Sequence, residues 1–400
     1  MRTQPETLKH INEILSSNSL HVAMKTIFPW SGKLAEESID KVFSWAALND
    51  LLYLQRIQND RLRLSIHSDF AGPNKKVFSA TKDGLGRPAD LLSLSKLHEA
   101  LNDGATAVLE AINDSSHFLS GVTEDIYHQF SARSTINAYF SFGSESGFGP
   151  HNDDHDVIIL QIYGTKKWTF FTDGESDHAS AFTLQMPTKD DISVSKMLER
   201  GDMLYLPKGV WHDVSAVGQP SLHITIGLLY PSIADFFKWT LESQKYGPPY
   251  RDIRPFNFDS NKYAKTCLDF SQLQCTPSRI NEFLAHYHSK VQKHRIRPDI
   301  LGRTLVRDDD VILKIPSVLI SSRKDEASNL TLAQALGKSF YLSDNEMKIL
   351  ALFDKNRSLT IGEIETLQEN SHSREELRAT LENLVGNGLL TKSFRHGPDF

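Results

Sequence analysis

The chain has 400 residues, of which 40% are hydrophobic and 24% charged, and its net charge is −6. This length exceeds that of one ordinary domain, and the mixture is that of a globular protein rather than a disordered one. The small negative charge excludes a global basic field that would attract nucleic acid or anionic lipid. The two cysteines, Cys267 and Cys275, argue against a disulfide framework and suit a reducing compartment. No apolar stretch reaches the length of a membrane span and the N-terminus lacks a signal-peptide core, so we expect a soluble cytoplasmic protein without membrane contact.

Residues 1–100 form the first predicted region, which is mixed but mostly helical and is expected to pack on the unit that follows. Apolar residues recur at helical spacing between Ser38 and Leu52, and again between Asp90 and Gly104, where the glycine is a usual helix terminator.

Residues 101–230 have a different texture, with short β-type runs separated by turn residues. The runs are TINAYFSF, DVIILQIYG, KKWTFFTDG, DMLYLPKG and LHITIGLLY. Regularly spaced short strands of this kind predict a sandwich or a barrel.

Residues 231–325 return to a helical pattern and end in a polar linker that includes SSRKDEASNL. Large apolar side chains in this region predict either a domain core or a symmetric dimer face. They are Phe236, Phe237, Trp239, Phe283 and Leu284.

Residues 326–400 are predicted to form a winged-helix-like domain, with three helices, a Gly-Asn-Gly turn and a short strand. Serine or threonine followed three positions later by glutamate predicts capping boxes at Ser343, Thr360 and Ser373. From position 341 to the end there are seven basic and ten acidic residues, whereas DNA binding needs basic residues against phosphate. We therefore expect a packing or dimer-supporting module, and no direct DNA binding.

The stretch HNDDHD places five metal- or proton-binding side chains directly before the apolar run VIIL. If these residues belong to the strand, alternation puts His151, Asp153 and His155 on one face, and Asp154 and Asp156 on the other. His151 and Asp153 would then form the His-x-Asp half of a two-histidine, one-carboxylate metal site, which is typical of non-haem Fe(II) oxygenases. Such a pair also occurs by chance in many proteins, and a solvated strand end is the alternative.

Two later features favour the metal-site interpretation. The stretch GDMLYLPKGVWHDV delivers a second histidine, His212, after a strand and a Pro-Lys-Gly turn. Lys166 and Lys167 begin the strand that follows the apolar run. A cation buried there would pair with the distal carboxylate of 2-oxoglutarate, because a buried carboxylate must be paired. Exposed strand-end lysines are the alternative for these two residues.

The segments GFGPHNDDHDVIILQIYGTKKWTFF and GDMLYLPKGVWHDV resemble the JmjC-type Fe(II)/2-oxoglutarate oxygenases, and among them the ribosomal oxygenases. The resemblance covers the predicted barrel, and the later regions follow the layout of that group more loosely. It implies an α+β fold: a double-stranded β-helix (a jelly-roll or cupin-like JmjC barrel) with helical N-terminal elements, a helical dimerisation region and a C-terminal winged-helix domain.

Carried over residue by residue, the resemblance implies that His151, Asp153 and His212 bind Fe(II) and form the catalytic centre. Lys166 would bind the distal carboxylate of the cosubstrate 2-oxoglutarate.

Further cosubstrate contacts are implied on neighbouring strands. Asn137 and Tyr139 match contact positions and share a strand face, although a strand-edge polar residue and an ordinary strand aromatic are the alternatives. Gly227 stands where some relatives have a serine that contacts the cosubstrate. Thr225 or His223 would substitute for it, and a satisfied core histidine is the alternative for His223.

The resemblance implies that Fe(II), 2-oxoglutarate and O2 hydroxylate an amino-acid side chain, with release of succinate and CO2. The expected substrate is arginine or histidine in a protein or peptide, with a ribosomal protein as a candidate, and the expected assembly is a homodimer. The alternatives are a hydroxylase that tailors a ribosomally made natural-product peptide, a cupin-type metalloprotein that does not use 2-oxoglutarate, and a catalytically silent scaffold. Within the motif, His155 is expected to lie behind the ligands or to face the substrate, and Asp154 and Asp156 to cap turns or pair with basic groups.

Overall fold

The computed structural model describes most of the chain, with gaps. The described residues are 6–54, 61–65, 77–82, 84–172, 187, 192–243, 259–289, 306–308, 310–314, 319–324, 330–335, 338–353, 356, 358–368 and 373–393. Among them, no helix combines the length and the apolar character that crossing a membrane requires. The chain divides into two compact units, Met1–Tyr230 and Pro231–Phe400.

The first unit combines six described helices with twelve described strands. The helices are α1 (Glu6–Leu15), α2 (Asn18–Thr26), α3 (Glu36–Val42), α4 (Trp45–Leu54), α5 (Leu94–Asn102) and α6 (His117–Phe130). The strands are β1 (Trp30–Lys33), β2 (Leu62–Ser65), β3 (Phe78–Lys82), β4 (Pro88–Leu92), β5 (Thr106–Leu109), β6 (Arg133–Ser141), β7 (Asp156–Tyr163), β8 (Lys166–Thr172), β9 (Ile192–Leu198), β10 (Asp202–Leu206), β11 (His212–Ala216) and β12 (Ser221–Leu229).

Two antiparallel sheets face each other in this unit. One has seven strands in the order β1-β10-β7-β12-β6-β5-β2, and the other has three in the order β11-β8-β9. The apolar run of β7 is buried on both faces, which explains why its sequence does not alternate. Ile158 and Leu160 belong to a large core shared with the helices, whereas Val157 and Ile159 belong to a second core shared with the three-stranded sheet. The prediction of a mixed fold with helices and antiparallel sheets is confirmed.

The N-terminal hundred residues contribute more to the sheet than their helical pattern predicts. β1 and β2 are the two outer strands of the seven-stranded sheet, so the sheet extends beyond the predicted 101–230 barrel. The predicted helical stretch 38–52 is two helices, because Phe43 between them has extended backbone. The stretch 90–104 begins in β4 and becomes helical only at Leu94, and Gly104 follows its end with φ of 95°.

The second unit also contains helices and short strands. Its described helices are α7 (Ile233–Ser243), α8 (Ser260–Gln274), α9 (Pro277–Ser289), α10 (Asp344–Leu352), α11 (Ile361–Leu367) and α12 (Arg374–Gly386). Its described strands are β13 (Val311–Lys314), β14 (Leu319–Lys324), β15 (Thr331–Ala335), β16 (Lys338–Leu342), β17 (Ser358–Thr360) and β18 (Leu390–Ser393), which pair as β17-β13-β18 and β14-β15-β16.

Several local predictions for this unit can be compared with the structure. Capping boxes are present at the N-caps Ser343, Thr360 and Ser373, as predicted. The predicted boundary at 325/326 falls inside the antiparallel pair of β14 and β15, and the first residues of the polar linker are in β14. Phe236 and Phe283 are buried and contact each other within the unit, as a core would require.

Candidate metal and cosubstrate site

His151 and Asp153 lie in the segment before β7, not on a strand with His155. β7 begins only at Asp156, so the strand alternation predicted for 151–155 is wrong. A turn at Gly149, whose φ is 67°, redirects the chain instead. His151 then forms one antiparallel bridge with His212, through two backbone hydrogen bonds of 2.9 Å and 2.8 Å.

That bridge brings three metal-binding side chains together. His151, Asp153 and His212 each offer one ligand atom, and these atoms lie within 4.8 Å of one another. His212 is the first residue of β11 in the three-stranded sheet, and its side chain is 4% exposed. Its Nε2 atom is 3.9 Å from Oδ2 of Asp153.

Backbone carbonyls set the tautomer of both histidines. Nδ1 of His151 lies 2.8 Å from the Gly149 carbonyl oxygen, and Nδ1 of His212 lies 2.9 Å from that of Val210. A carbonyl oxygen only accepts, so Nδ1 must donate and Nε2 of the neutral ring keeps its lone pair. Burial, with the neighbouring His151 as a second cause, lowers the pKa of His212 and favours that neutral form. The donor set therefore fits a divalent transition metal ion with open positions.

The remaining acidic motif residues have other partners. Asp156 accepts hydrogen bonds from the Tyr205 hydroxyl and the Lys208 backbone, both at 2.8 Å, so its predicted capping role is confirmed. Asp154 lies 2.7 Å from Nδ1 of His155. The His155 ring fills the space beside Gly227, where an added Cβ would lie 2.8 Å from its Nε2.

A pocket that is partly open to solvent adjoins the three metal-binding side chains. Trp168 and Phe148 contribute to its wall. Its other polar lining residues are Thr106, Tyr139, Lys166, His223 and Thr225.

Lys166 is the buried cation of this pocket. Its side chain is 2% exposed, and burial lowers its pKa to about 8. No carboxylate among the described residues forms an ion pair with it. Lys167 is exposed, so the alternative of a solvated strand-end lysine applies to Lys167 alone.

Asn137 and Tyr139 differ in their relation to the pocket. Tyr139 lines it, and burial raises the pKa of its phenol well above the usual range. Asn137 does not line it, and its Oδ1 instead accepts a 2.9 Å hydrogen bond from the backbone of Ala111, a residue with φ of 52°. The Asn137 side chain thus stabilises the left-handed backbone conformation at Ala111.

Sequence reasoning missed Trp168, Phe148 and Thr106 as pocket residues. Trp168 had a usable signal, because it alternates with Lys166 on β8 and therefore shares its face. Thr106 and Phe148 reach the pocket only through the fold, and no motif marks them.

The pocket and the donor cluster lie between the two facing antiparallel sheets, an arrangement typical of double-stranded β-helix (cupin-like) folds. Residues 115–236 match the JmjC domain. The NO66 protein of Aedes aegypti, a bifunctional lysine-specific demethylase and histidyl-hydroxylase, is 32% identical over 120 residues, which are 28% of this chain and 19% of that protein. Ribosomal oxygenase 1 of Gallus gallus is 32% identical over 115 residues, covering 28% of this chain and 18% of the relative.

Solved structures extend the likeness to 95% of the chain. The ribosomal oxygenase YcfD of Escherichia coli, in complex with cobalt and succinic acid, superposes with a TM-score of 0.57 at 16% identity, covering 95% of this chain and 99% of YcfD. Its complex with cobalt and 2-oxoglutarate gives a TM-score of 0.56 at 18% identity and the same coverage. At this identity the likeness establishes the fold. Residues 115–236 are thus similar to the JmjC domain, and the chain shares the fold of YcfD, in agreement with the resemblance predicted from the sequence.

Proposed function

We propose that this chain is an Fe(II)- and 2-oxoglutarate-dependent dioxygenase that hydroxylates an amino-acid side chain in a protein or peptide. One observation carries the proposal: a buried cation without an anionic partner among the described residues and a two-histidine, one-aspartate cluster line the same pocket. A buried charge is costly unless it is paired, so Lys166 implies an anionic ligand.

The residues fit the cofactor and the cosubstrate in different ways. His151, Asp153 and His212 would hold Fe(II), and Lys166 would hold the distal carboxylate of 2-oxoglutarate. When bound, Fe(II) with 2-oxoglutarate and O2 supplies an oxidative decarboxylation that places one oxygen atom in succinate, releases CO2 and inserts the other oxygen atom into a C–H bond.

The chain's own residues position these groups and exclude water. The backbone bridge between His151, which precedes β7, and His212, at the start of β11, fixes the two histidine side chains relative to each other. Trp168 packs on the His212 ring with centroids 5.5 Å apart, and Val157 and Ile159 form an apolar wall. A dry wall strengthens the ion pair that Lys166 would make.

The names of the relatives suggest the substrate class. NO66 is described as a histidyl-hydroxylase and demethylase, and YcfD as a ribosomal oxygenase. We propose arginine or histidine in a ribosomal protein as the target. The chain's net charge of −6 favours encounter with such basic partners.

The test is a turnover assay with Fe(II), 2-oxoglutarate and peptides from ribosomal proteins. Succinate release together with a peptide mass gain of one oxygen atom is the expected result. If only a natural-product precursor peptide were hydroxylated, the substrate would be that class of peptide instead of a ribosomal protein. Absence of succinate with every candidate peptide, and of any 2-oxoglutarate binding, would favour a cupin-type metalloprotein instead.

We also propose a homodimer formed through the helical region of the second unit. α8 has no buried residue, and Leu268 and Leu273 on it are 63% and 73% exposed, which a second copy of the chain would cover. A dimeric mass in solution scattering is expected, and a monomeric mass would contradict the proposal.

We propose that the C-terminal part of the second unit is a winged-helix-like domain with a structural role. α10, α11 and α12 accompany the three-stranded sheet of β17, β13 and β18, and their apolar faces form one core. The acidic balance of this part argues against a DNA-binding role. Two unpaired, exposed cysteines support the proposed cytoplasmic location.

A further inference from the structure

His223 is a buried histidine that lines the pocket. It lies on β12 opposite Tyr139 of β6, and the two rings stack with centroids 4.8 Å apart and planes 4° from parallel. The Trp168 ring meets it edge-on at 5.9 Å. The His223 side chain is 3% exposed, so two aromatic side chains fix its ring between them.

The His223 ring has an unused hydrogen-bonding atom. Nδ1 is buried and has no hydrogen-bond partner among the described residues. An unsatisfied buried polar atom costs about 1–3 kcal/mol, so most such atoms in folded proteins find a partner. Since His223 lines the pocket, a bound ligand is the partner that would satisfy it.

Lys166 is near enough to act on His223. Burial, and then the positive charge of Lys166, lower the pKa of His223 well below its usual range. The imidazole is therefore neutral beside the ammonium group and carries one N–H donor. One cation and one neutral donor suit a single carboxylate, whose two oxygens accept several hydrogen bonds.

We propose that His223 donates a hydrogen bond to the distal carboxylate of 2-oxoglutarate, beside Lys166, and so makes the site select a 2-oxo acid with a second carboxylate. The inference rests on the proposed function and adds a selectivity residue to it. His223 is a cosubstrate-binding residue on this assignment, rather than a satisfied core histidine.

The experiment compares two ligands on the full-length protein loaded with Mn(II) in the absence of oxygen. Calorimetric titration with 2-oxoglutarate measures binding that uses the distal carboxylate, and titration with pyruvate measures binding without it. The wild-type protein is expected to prefer 2-oxoglutarate. The substitution His223→Phe keeps a ring against Tyr139 but removes both nitrogens, and it is expected to weaken 2-oxoglutarate binding about 10- to 100-fold while leaving pyruvate binding unchanged.

His21→Phe is the matched control. His21 also contacts an aromatic ring, Phe130, at 5.1 Å, but it is not among the residues that line the pocket. The same chemical change there should alter neither titration. His223→Asn and His223→Gln place an amide nitrogen near the positions of Nδ1 and Nε2, so one of them should restore part of the affinity and identify the donor.

Each outcome separates this proposal from the proposed function. A wild-type protein that binds 2-oxoglutarate no better than pyruvate would contradict the proposed function itself. A wild-type preference that persists in His223→Phe would overturn the role of His223 alone. An equal loss for both ligands would also overturn it, because that pattern indicates distortion of the metal site. If His223→Phe does not fold, the Asn and Gln variants decide by the same criteria.

Discussion

Both units of the chain bury ionisable side chains, but these side chains differ in whether they have hydrogen-bond or ion-pair partners. In the second unit, Glu346 is 8% exposed, and both of its carboxylate oxygens accept hydrogen bonds, from Ser343 and from Asn383. In the first unit, Lys166 and His223 are buried more deeply, at 2% and 3% exposure. Among the described residues, however, Lys166 has no anionic partner and Nδ1 of His223 has no hydrogen-bond partner. A buried ionisable side chain whose hydrogen bonds are complete stabilises the fold, whereas one whose hydrogen bonds or ion pairs are incomplete indicates a binding site.

The largest expected effect concerns the metal-binding cluster. Replacing Asp153 by alanine removes its only anionic ligand, and we expect Mn(II) affinity to fall at least about 100-fold and 2-oxoglutarate turnover to be abolished, with the fold retained. His212→Ala should behave alike. Metal titration and circular dichroism check both. The neighbouring Asp154, which is 92% exposed, provides the control, because Asp154→Ala should retain metal binding. Undiminished turnover in Asp153→Ala would reject the cluster as the metal site.

Removing the unpaired cation is the next largest change. Lys166→Met keeps most of the side-chain volume and deletes the charge, so we expect 2-oxoglutarate binding to weaken by 2 to 5 kcal/mol, roughly 30- to several thousand-fold. The protein itself should become no less stable, since no carboxylate among the described residues loses an ion pair. Lys167→Ala, on the exposed face of the same strand, should change neither quantity. If Lys166→Met destabilised the protein but still bound 2-oxoglutarate with unchanged affinity, Lys166 would be a structural residue like Glu346.

The pH dependence of 2-oxoglutarate binding also tests whether Lys166 serves binding rather than stability. Burial lowers the pKa of Lys166 from 10.5 to about 8, so the folded protein releases this proton before the unfolded chain does. The cost of burying the charge is fully present below pH 8 and disappears between pH 8 and 10.5, so this group makes the fold relatively more stable as the pH rises. The affinity for 2-oxoglutarate should instead fall as the pH rises, because only the ammonium form of Lys166 pairs with a carboxylate. The dissociation constant of 2-oxoglutarate should rise about tenfold per pH unit above about 8.

Calorimetric titrations across this pH range measure the effect. Pyruvate, which lacks the distal carboxylate, should not show the rise, and Lys166→Met should remove it for 2-oxoglutarate. A rise of equal slope for pyruvate would assign it to the metal site instead.

The smallest expected effect lies in the second unit. Glu346→Ala breaks a capping box and a contact between α10 and α12, so we expect the C-terminal unit to lose about 2–3 kcal/mol of stability. Glu363→Ala breaks the same motif at an exposed position and should cost less than about 1 kcal/mol. Hydrogen exchange of the helix amides measures both. Cosubstrate binding should be unchanged in each variant, and a change would refute the purely structural role of Glu346.

The sequence predicts those parts of the site that a short segment or a repeated spacing encodes. His151, Asp153 and His212 could be found because residue types with metal-binding chemistry stand in a distinctive pattern around predicted strands. The geometry offered for them was nevertheless wrong: a turn at Gly149 and a backbone bridge to His212, rather than strand alternation, bring them together.

Other features depend on contacts between distant segments and carry no local signal. The Oδ1 atom of Asn137 accepts a hydrogen bond from Ala111, 26 positions away, and its side chain also hydrogen-bonds to Tyr139, while its contact with the cosubstrate stays a prediction. The edge strands β1 and β2 are only four residues each, too short for a periodicity to emerge. Whether His223 is satisfied could be decided only when every neighbour of its ring was placed.

The contact between His155 and Gly227 links two positions 72 residues apart. The His155 ring occupies the volume that a side chain at 227 would need, with its Cδ2 atom 2.9 Å and its Nε2 atom 2.8 Å from an added Cβ. Only one of the two positions can fill that volume, and the imidazole would have to swing away if the glycine were replaced. We therefore expect these positions to covary among homologous chains, with a small or absent ring at 155 wherever 227 carries a hydroxyl. Exchanging both residues together should be tolerated better than exchanging Gly227 alone.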